Sequence, residues 1–176
     1  MKRIIGKILR DIEVELTDEF DKNFERQGFF SEKWKRRMSP GGEGRGILVK
    51  SGSLRRSIRT RVDDSSITFS SDLPYAAIHN EGGEIKVTSR MKRYFWARYY
   101  ACQGGFGRRK DGSLRKDKRN ARLTSESAFW KALALKKVGS TVKIPKRQFL
   151  GMSPEVEQAV REIIEERLDG VLDDVP

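Results

Sequence analysis

His79 is the only histidine in the chain and the side chain best suited to proton transfer near neutral pH. Glu81, two residues further along, is its nearest candidate partner for acid–base chemistry. Catalysis by proton transfer or nucleophilic attack needs a poised pair or triad of groups, and this set is sparse. We therefore interpret His79 as a polar residue that packs or hydrogen-bonds at the end of a short helix, and we expect no enzyme.

Cys102 is the only cysteine, which excludes an internal disulfide framework and a multi-cysteine metal site. Zinc sites use about four protein ligands, or three and a water, and one histidine with one distant cysteine falls short of that number. No neighbour of Cys102 in the sequence forms a catalytic signature, so we interpret it as an incidental thiol. We expect no metal and no other cofactor.

Two glycine-rich stretches, residues 41–46 and 104–107, invite comparison with phosphate-binding loops. Neither contains Gly-x-x-x-x-Gly-Lys-Ser/Thr or a strand–glycine–helix order that would direct backbone amides at a phosphate. Both are interpreted as flexible loops.

Positive charge is concentrated in residues 86–147, where 19 Lys and Arg face three acids, a balance of +16. The other 114 residues sum to −4. Such a field attracts polyanions, and Lys and Arg contact phosphates without reading base sequence. The candidate contact residues for DNA or a protein partner are Lys92, Arg93, Arg108, Arg109, Lys110, Arg115, Lys116, Lys118 and Arg119.

Three interpretations of this basic segment stay open. The charges can decorate a solvated loop, or they can contact nucleic acid with help from stacking aromatics, although aromatics at helical spacing more often lie in a core. They can also rest on an acidic neighbour, because residues 153–176 carry eight acids and two bases. We weigh docking on another subunit at least equally with DNA contact. The aromatics are Tyr94, Phe95, Trp96, Tyr99 and Tyr100.

Long amphipathic helices are predicted at both ends of the chain. The first has apolar residues at three- or four-residue spacing and ends near Gly28, which tolerates a positive φ. The last starts with Ser153 as its cap and Pro154 at its first position. The apolar positions are Ile5, Leu9, Ile12, Leu16, Phe20 and Phe24 in the first helix, and Val156, Ala159, Val160, Ile163, Ile164, Leu168, Val171 and Leu172 in the last.

Shorter elements are predicted between these helices. Residues 47–49 form a short buried element, Ser53 caps a helical turn over 54–57, and alternation over 58–62 and 67–69 predicts a β-hairpin. Pro74 opens a helix over 75–80, which Gly82 and Gly83 end. Ile85 with Val87, and Val142 with Ile144, indicate two more strands.

The basic segment holds two further predicted helices. Ser89 caps one that runs to Cys102, and residues 125–137 form another whose apolar residues make no clean stripe. Between them, residues 103–122 contain so few apolar side chains that we expect a flexible excursion without its own core.

These elements predict an α+β fold, with a small antiparallel sheet packed with long N-terminal and C-terminal helices. At 176 residues we expect one domain over 1–176. No run approaches the about 20 apolar residues that span a bilayer, and no signal peptide is recognisable, so we expect a soluble, unsecreted protein.

Four segments in order resemble the phage virion morphogenesis family, which includes tail completion proteins of Mu-like phages. They are Trp34, residues 46–58, residues 75–83 and residues 144–151, followed by a C-terminal helix. The motif positions, to which we assign architectural roles, are Trp34, Ser51, Gly52, Leu54, Ile58, Tyr75, Ala76, His79, Gly82, Gly83, Pro145, Arg147, Phe149, Leu150 and Gly151. We expect Tyr75, Ala76 and Ile78 to pack inward and Phe149 and Leu150 to enter the core.

The resemblance implies a structural protein that completes the tail or neck and joins head to tail. It further implies a ring of identical subunits such as a hexamer, contacts with neck, connector and tail proteins, assembly in the host cytoplasm and a final place at the head–tail junction. The family has no catalytic residues to transfer. Residues 87–142 match none of its motifs, so a sequence-independent nucleic-acid-binding protein remains the alternative function.

Overall fold

A computed structural model describes residues 2–37, 40 and 44–173, with the backbone alone for 2, 3 and 171–173. Part of the glycine stretch, residues 41–43, and the side chains of Val171 and Leu172 lie outside this description. The chain divides into two compact units. Unit 1 contains residues 1–35, 46–82 and 145–176, and unit 2 contains residues 36–45 and 83–144.

Unit 1 begins with α1 (Lys2–Arg26), the predicted amphipathic helix. It ends near Gly28, as expected, but Gln27 rather than Gly28 takes the left-handed conformation, with φ of 57°. Gly28 has another role. It begins β1 (Gly28–Phe29), which pairs with β2 (Glu32–Lys33), and a Cβ there would lie 2.5 Å from the Glu32 carbonyl oxygen.

The next helix, α2 (Ser53–Arg56), is a single turn whose cap is Gly52 at φ of 69°. The prediction that Ser53 caps it is wrong, because Ser53 is already helical and its hydroxyl bonds that of Ser51 at 2.8 Å. The preceding residues 47–49 form a half-buried turn that packs on the core.

The predicted hairpin is confirmed as β3 (Ile58–Val62) paired with β4 (Ile67–Ser71). Alternate residues face inward on both strands, as period-two patterning requires. Next comes α3 (Ala76–Glu81), which ends at Gly82 and Gly83 with φ of 75° and 144°. These two positive values explain the glycine pair.

The core of unit 1 consists of two clusters of buried apolar side chains. The C-terminal helix α6 (Pro154–Asp173) packs one face on α1, and Ser153 caps it as predicted by accepting from the Val156 amide at 3.3 Å. The first cluster is Ile12, Leu16, Phe20, Phe29 and Val156. The second is Phe24, Trp34, Leu54, Ala76 and Phe149.

Unit 2 contains two strands and a pair of helices. Strand β5 (Gly83–Lys86) pairs antiparallel with β6 (Thr141–Ile144), and α4 (Ser89–Gly104) packs against α5 (Lys118–Ala134). The cap of α4 is Thr88, whose hydroxyl accepts from the Met91 amide at 3.2 Å, so the assignment to Ser89 is wrong by one residue.

Residues 103–122, for which flexibility stays a prediction, have defined secondary structure. Its ends belong to α4 and α5, and Arg108 and Leu114 form an antiparallel bridge between them. Helix α5 therefore begins well before residue 125, at a cap provided by Asp117. Local polar contacts organise this loop in place of the apolar core that the sequence lacks.

The α+β class is confirmed, but the strands form three separate two-stranded sheets rather than one small sheet. Among the described residues, every helix is too short or too polar to cross a bilayer. The prediction of a single domain stays a prediction.

Candidate interaction surfaces

Residues 145–151, which make up all but the first residue of the last motif segment (144–151), are held by side chains from two of the other segments. The Asn80 amide oxygen accepts from the Phe149 and Leu150 amides at 2.9 and 3.0 Å. From Trp34, the indole N–H donates to the Gln148 carbonyl at 2.7 Å. The segment thereby carries Phe149 into the core at 1% exposure, as expected.

Arg147 is buried at 8% exposure and connects three parts of unit 1. Its amide donates to the His79 carbonyl at 2.8 Å, and its Nε donates to the Lys35 carbonyl at 3.1 Å. A guanidinium stays charged at any working pH, and the Lys35 carbonyl oxygen compensates part of its burial. Through these two bonds Arg147 joins the 145–151 stretch to Lys35 and to α3.

The structure places His79 away from any acid–base pair. Its Nδ1 is buried without a hydrogen-bond partner among the described residues, and its ring packs edge-on against Tyr75 at 6.1 Å. Burial lowers the pKa of His79, and the nearby Arg147 charge lowers it further. The imidazole is therefore neutral at pH 7, and no hydrogen bond joins it to Glu81 in the described part of the chain.

The other motif residues have mixed positions. Leu54 and Ala76 are buried, Ile58, Pro145 and Leu150 are half-buried, and Gly151 has φ of 122°. Tyr75 is 41% exposed, so the expectation that it packs inward is wrong, because it precedes α3 as a cap residue and Ala76 takes the buried position.

Several supporting residues were not identified from the sequence. Arg55 of α2 forms ion pairs with Asp21 and Glu25 of α1, which raise its pKa. Asn23 accepts from the Phe30 amide at 2.9 Å, and the Gln27 side chain hydrogen-bonds to the Ile47 amide. Asn80 lies inside a motif segment, but its hydrogen bonds to residues 149 and 150 were not predicted. A polar side chain that bonds distant backbone groups produces no periodic pattern in the sequence.

An apolar cleft of about 730 Å³ lies within unit 1 beside β4. Its lining includes Leu9 and Leu16 of α1, Phe69 of β4 and Val160 of α6. Among the described residues, Glu81 is the only ionisable side chain in this lining. The lining is thus mainly apolar, with hydroxyl and amide groups from β4 and α3 and a single carboxylate.

Unit 2 brings together seven of the nine predicted contact residues. All seven are exposed and lie on the loop between α4 and α5 and the start of α5, whereas Lys92 and Arg93 lie in the first turns of α4. We call the seven the tip cations: Arg108, Arg109, Lys110, Arg115, Lys116, Lys118 and Arg119.

The two acids of this loop, Asp111 and Asp117, both accept hydrogen bonds from nearby residues. The Asp111 carboxylate accepts from the Ser113 amide at 2.9 Å and its hydroxyl at 2.7 Å, and these bonds lower the pKa of Asp111. Asp117 caps α5 by accepting from the Asn120 amide at 2.8 Å. No tip cation forms an ion pair within the described residues.

Asn120 organises the loop. Its side-chain amide donates to the carbonyls of Gly107 at 2.8 Å and Arg115 at 2.6 Å, and its oxygen accepts from the Gly107 amide at 2.9 Å. The side chain is buried at 4% exposure although its neighbours are open to solvent. This residue thus holds the tip cations in a defined arrangement.

The aromatic residues of α4 mainly pack within unit 2. Phe95 stacks on Trp130 at 6.0 Å, and Arg98 lies over the Trp130 ring at 5.4 Å. The buried Glu126 accepts from Arg98 at 3.0 Å and from the Trp130 indole at 3.3 Å. This polar network explains why α5 has no clean apolar stripe. Only Tyr94 and Tyr100, 56% and 63% exposed, remain open for stacking on a ligand.

Cys102 is buried, and desolvation raises its pKa, so it is a protonated thiol at neutral pH. Its contribution is packing. Within the described residues, no group of three or more His, Cys, Asp and Glu side chains is placed to hold a metal ion.

The chain matches a known protein family in sequence. A sequence model of the phage virion morphogenesis family matches residues 3–169, nearly the whole chain, and so covers both units. Neither the curated proteins nor the solved structures contain a significant match.

Proposed function

The chain belongs to the phage virion morphogenesis family, and from this premise we propose that it completes the tail or neck of a tailed phage and joins head to tail. Family membership itself indicates a structural, virion-associated role in phage assembly. Tail completion and head–tail joining are the finer assignment that we add.

The observation that carries this proposal is the use of the motif residues within unit 1. Trp34 and Asn80, the latter within a motif segment, bond residues 148–150, and Arg147 bonds the Lys35 carbonyl; every one of these contacts supports the core. None of them presents a reactive group to a cleft. Such residues maintain a rigid framework, and this is what a subunit that acts through its surfaces requires.

We further propose the partners that such a role entails. Identical copies form a closed ring, for which a hexamer is our expectation, through head-to-tail contacts in which each surface patch meets a different one. The ring contacts neck or connector proteins on one side and tail proteins on the other. Copies assemble in the host cytoplasm and remain at the head–tail junction, near the passing DNA.

Deletion of the gene in its phage tests the proposal. We expect electron microscopy to show separate heads and unjoined or defective tails, and a plasmid copy of the wild-type gene should restore joined particles. A His79→Gln copy should restore them equally, because His79 has no chemical role here. Normal infectious particles without the gene would overturn the proposal.

A sequence-independent nucleic-acid-binding function is the second candidate, favoured by seven exposed tip cations without ion pairs. It predicts DNA affinity whose logarithm falls linearly with the logarithm of salt concentration. Neutralising Arg108, Arg109, Lys110, Arg115 and Lys116 should flatten that slope. Negligible DNA affinity at physiological salt would exclude this function.

A further inference from the structure

Net charge divides unevenly between the two units. Unit 2 has 20 Lys and Arg against five Asp and Glu, a balance of +15, whereas unit 1 has 17 against 20, a balance of −3. Each copy is therefore a molecule with one strongly positive unit and one slightly negative unit. This distribution favours a contact between copies in which the positive unit of one copy meets the negative unit of another. It disfavours contacts between two positive units.

The positive surface is the cluster of tip cations. Helices α4 and α5 have 16 and 17 residues, so at about 1.5 Å per residue they carry the connecting loop about 24 Å from the β5–β6 strands. Its two acids are occupied by backbone and serine donors within the loop. The cations are thus held on an ordered end of unit 2, uncompensated by local carboxylates.

The negative surface lies on the outer face of α6. Glu162, Glu165, Glu166 and Asp169 follow the spacing i, i+3, i+4 and i+7, which places them along one side of a helix. All four are exposed, and the opposite side, with Val156, Val160, Ile163 and Ile164, packs on the core. We call these four carboxylates the α6 stripe.

The α6 stripe is also uncompensated. No member of it forms an ion pair within the described residues, and Glu162 only accepts from Gln158 at 2.8 Å. Of the two bases on α6, Arg167 is paired with Asp11 of α1 at 2.7 Å. Four carboxylates within about two turns therefore face solvent together.

We propose that the tip cations of one copy dock on the α6 stripe of the next copy. This inference rests on the proposed function and identifies the two surfaces of its ring contact. A nucleic acid would account for the tip cations alone and would be repelled by the stripe. A second copy accounts for both surfaces, and a contact between two different patches is compatible with the head-to-tail arrangement of the proposed ring.

Charge reversal on each surface tests the contact in the full-length protein. One variant carries Arg108→Glu, Arg109→Glu, Lys110→Glu and Lys116→Glu; the other carries Glu162→Lys, Glu165→Lys, Glu166→Lys and Asp169→Lys. Sedimentation velocity should show wild-type oligomers at about 50 mM salt that dissociate at about 500 mM, because salt screens exposed ion pairs. Each variant alone should be monomeric at both salt concentrations.

The decisive sample is the equimolar mixture of the two variants. The reversed tip of one matches the reversed stripe of the other, and the unchanged surfaces match as well, so oligomers should return at low salt. A control with Lys131→Glu, Lys136→Glu and Lys137→Glu, exposed cations of unit 2 outside the tip, should assemble like the wild type. Circular dichroism checks that every variant is folded.

A mixture that stays monomeric would overturn the contact, and so would a wild-type protein that is monomeric at low salt while binding duplex DNA. If a variant fails to fold, the corresponding substitutions to Gln replace it and should weaken wild-type assembly at least tenfold. Loss of joined particles on gene deletion combined with a monomeric mixture would contradict the contact alone. A dispensable gene combined with an assembling mixture would contradict the proposed function alone.

Discussion

At the scale of single residues, side-chain amides make the most consequential contacts. Asn80, Asn23 and Asn120 each satisfy backbone groups that no helix or strand ladder can satisfy. A buried backbone amide without an acceptor costs free energy comparable to a lost hydrogen bond. These residues therefore stabilise irregular segments that apolar burial alone does not order.

Asn80→Ala should lower the free energy of unfolding by about 2–4 kcal/mol, because it leaves the Phe149 and Leu150 amides without their acceptor. Urea denaturation measures this loss. Asn80→Asp keeps the acceptor oxygen and should retain most of the stability. Equal losses in both variants would show that the two hydrogen bonds contribute little.

His79 should make stability depend on pH. Its pKa in the folded chain lies below the ordinary 6.5 because of burial and Arg147. Between the pKa of the folded chain and that of the unfolded chain, the unfolded chain therefore binds more protons at His79. The contribution of His79 to the free energy of unfolding is fully present above pH 6.5 and decreases as the pH falls through that value. The slope from this residue is at most about 1.4 kcal/mol per pH unit.

Comparison of wild type and His79→Gln by urea denaturation between pH 5 and 7.5 isolates this contribution, since carboxylates titrate alike in both proteins. The difference in the free energy of unfolding between wild type and His79→Gln should shrink or change sign as the pH falls. A difference that stays constant over this range would show that His79 has the same pKa in the folded and unfolded chain.

At the scale of elements, the ends of helices depend on residues with special backbone conformations or caps. Gln27 ends α1, Gly52 precedes α2, and Thr88 rather than Ser89 caps α4. Apolar periodicity located α1, and the candidate caps Ser53 and Ser89 located α2 and α4 within a few residues, but neither signal determined which neighbour takes the terminal position.

Gly52→Ala should destabilise the protein by about 1–2 kcal/mol, because φ of 69° is costly for a residue with a Cβ. The new Cβ would also lie 2.7 Å from Arg56 Nη1, although that flexible group can move. Gly6→Ala is the matched control: it lies inside α1 with open space around it, and helix propensity should stabilise it by about 0.5–1 kcal/mol. Thermal unfolding followed by circular dichroism distinguishes the expected decrease in stability of Gly52→Ala from the expected increase of Gly6→Ala.

At the scale of the whole molecule, unit 2 is inserted in the chain between parts of unit 1. Asn80 precedes the 83–144 portion and Phe149 follows it, so the core of unit 1 is complete only when both of its flanks are present. Chain length led us to expect one domain over residues 1–176, and this connectivity adds that the core of unit 1 depends on chain segments on both sides of unit 2.

Tryptophan fluorescence tests that expectation, because Trp34 belongs to unit 1 and Trp96 and Trp130 belong to unit 2. A chain with Trp96→Phe and Trp130→Phe reports unit 1 alone, and Trp34→Phe reports unit 2 alone. In each chain, the midpoint from fluorescence should coincide with the midpoint from circular dichroism, and Asn80→Ala should shift both transitions together. Two separate transitions in circular dichroism would show two domains.

Patterns of neighbouring residues in the sequence were sufficient to predict several helices and strands of this protein. The period of the apolar residues predicted α1 and α6, alternation predicted the β3–β4 hairpin, and Ser153 with Pro154 predicted the start of α6. The four motif segments and the scarcity of catalytic groups led to the family that the match over residues 3–169 confirms. These properties depend on neighbours in the chain, so they can be read from the chain alone.

Only the tertiary structure decided how distant segments meet. The acceptor for Phe149 is Asn80, the support for the loop at residues 105–117 is Asn120, and Arg55 pairs with acids of α1. Residues 103–122 were expected to form a flexible excursion because they contain few apolar residues, and in the structure a buried asparagine and an aspartate cap hold the loop in this stretch. The contacts of Asn80 with Phe149 and of Arg55 with Asp21 join polar groups 69 and 34 residues apart, and at such separations the sequence shows no periodic pattern that predicts them.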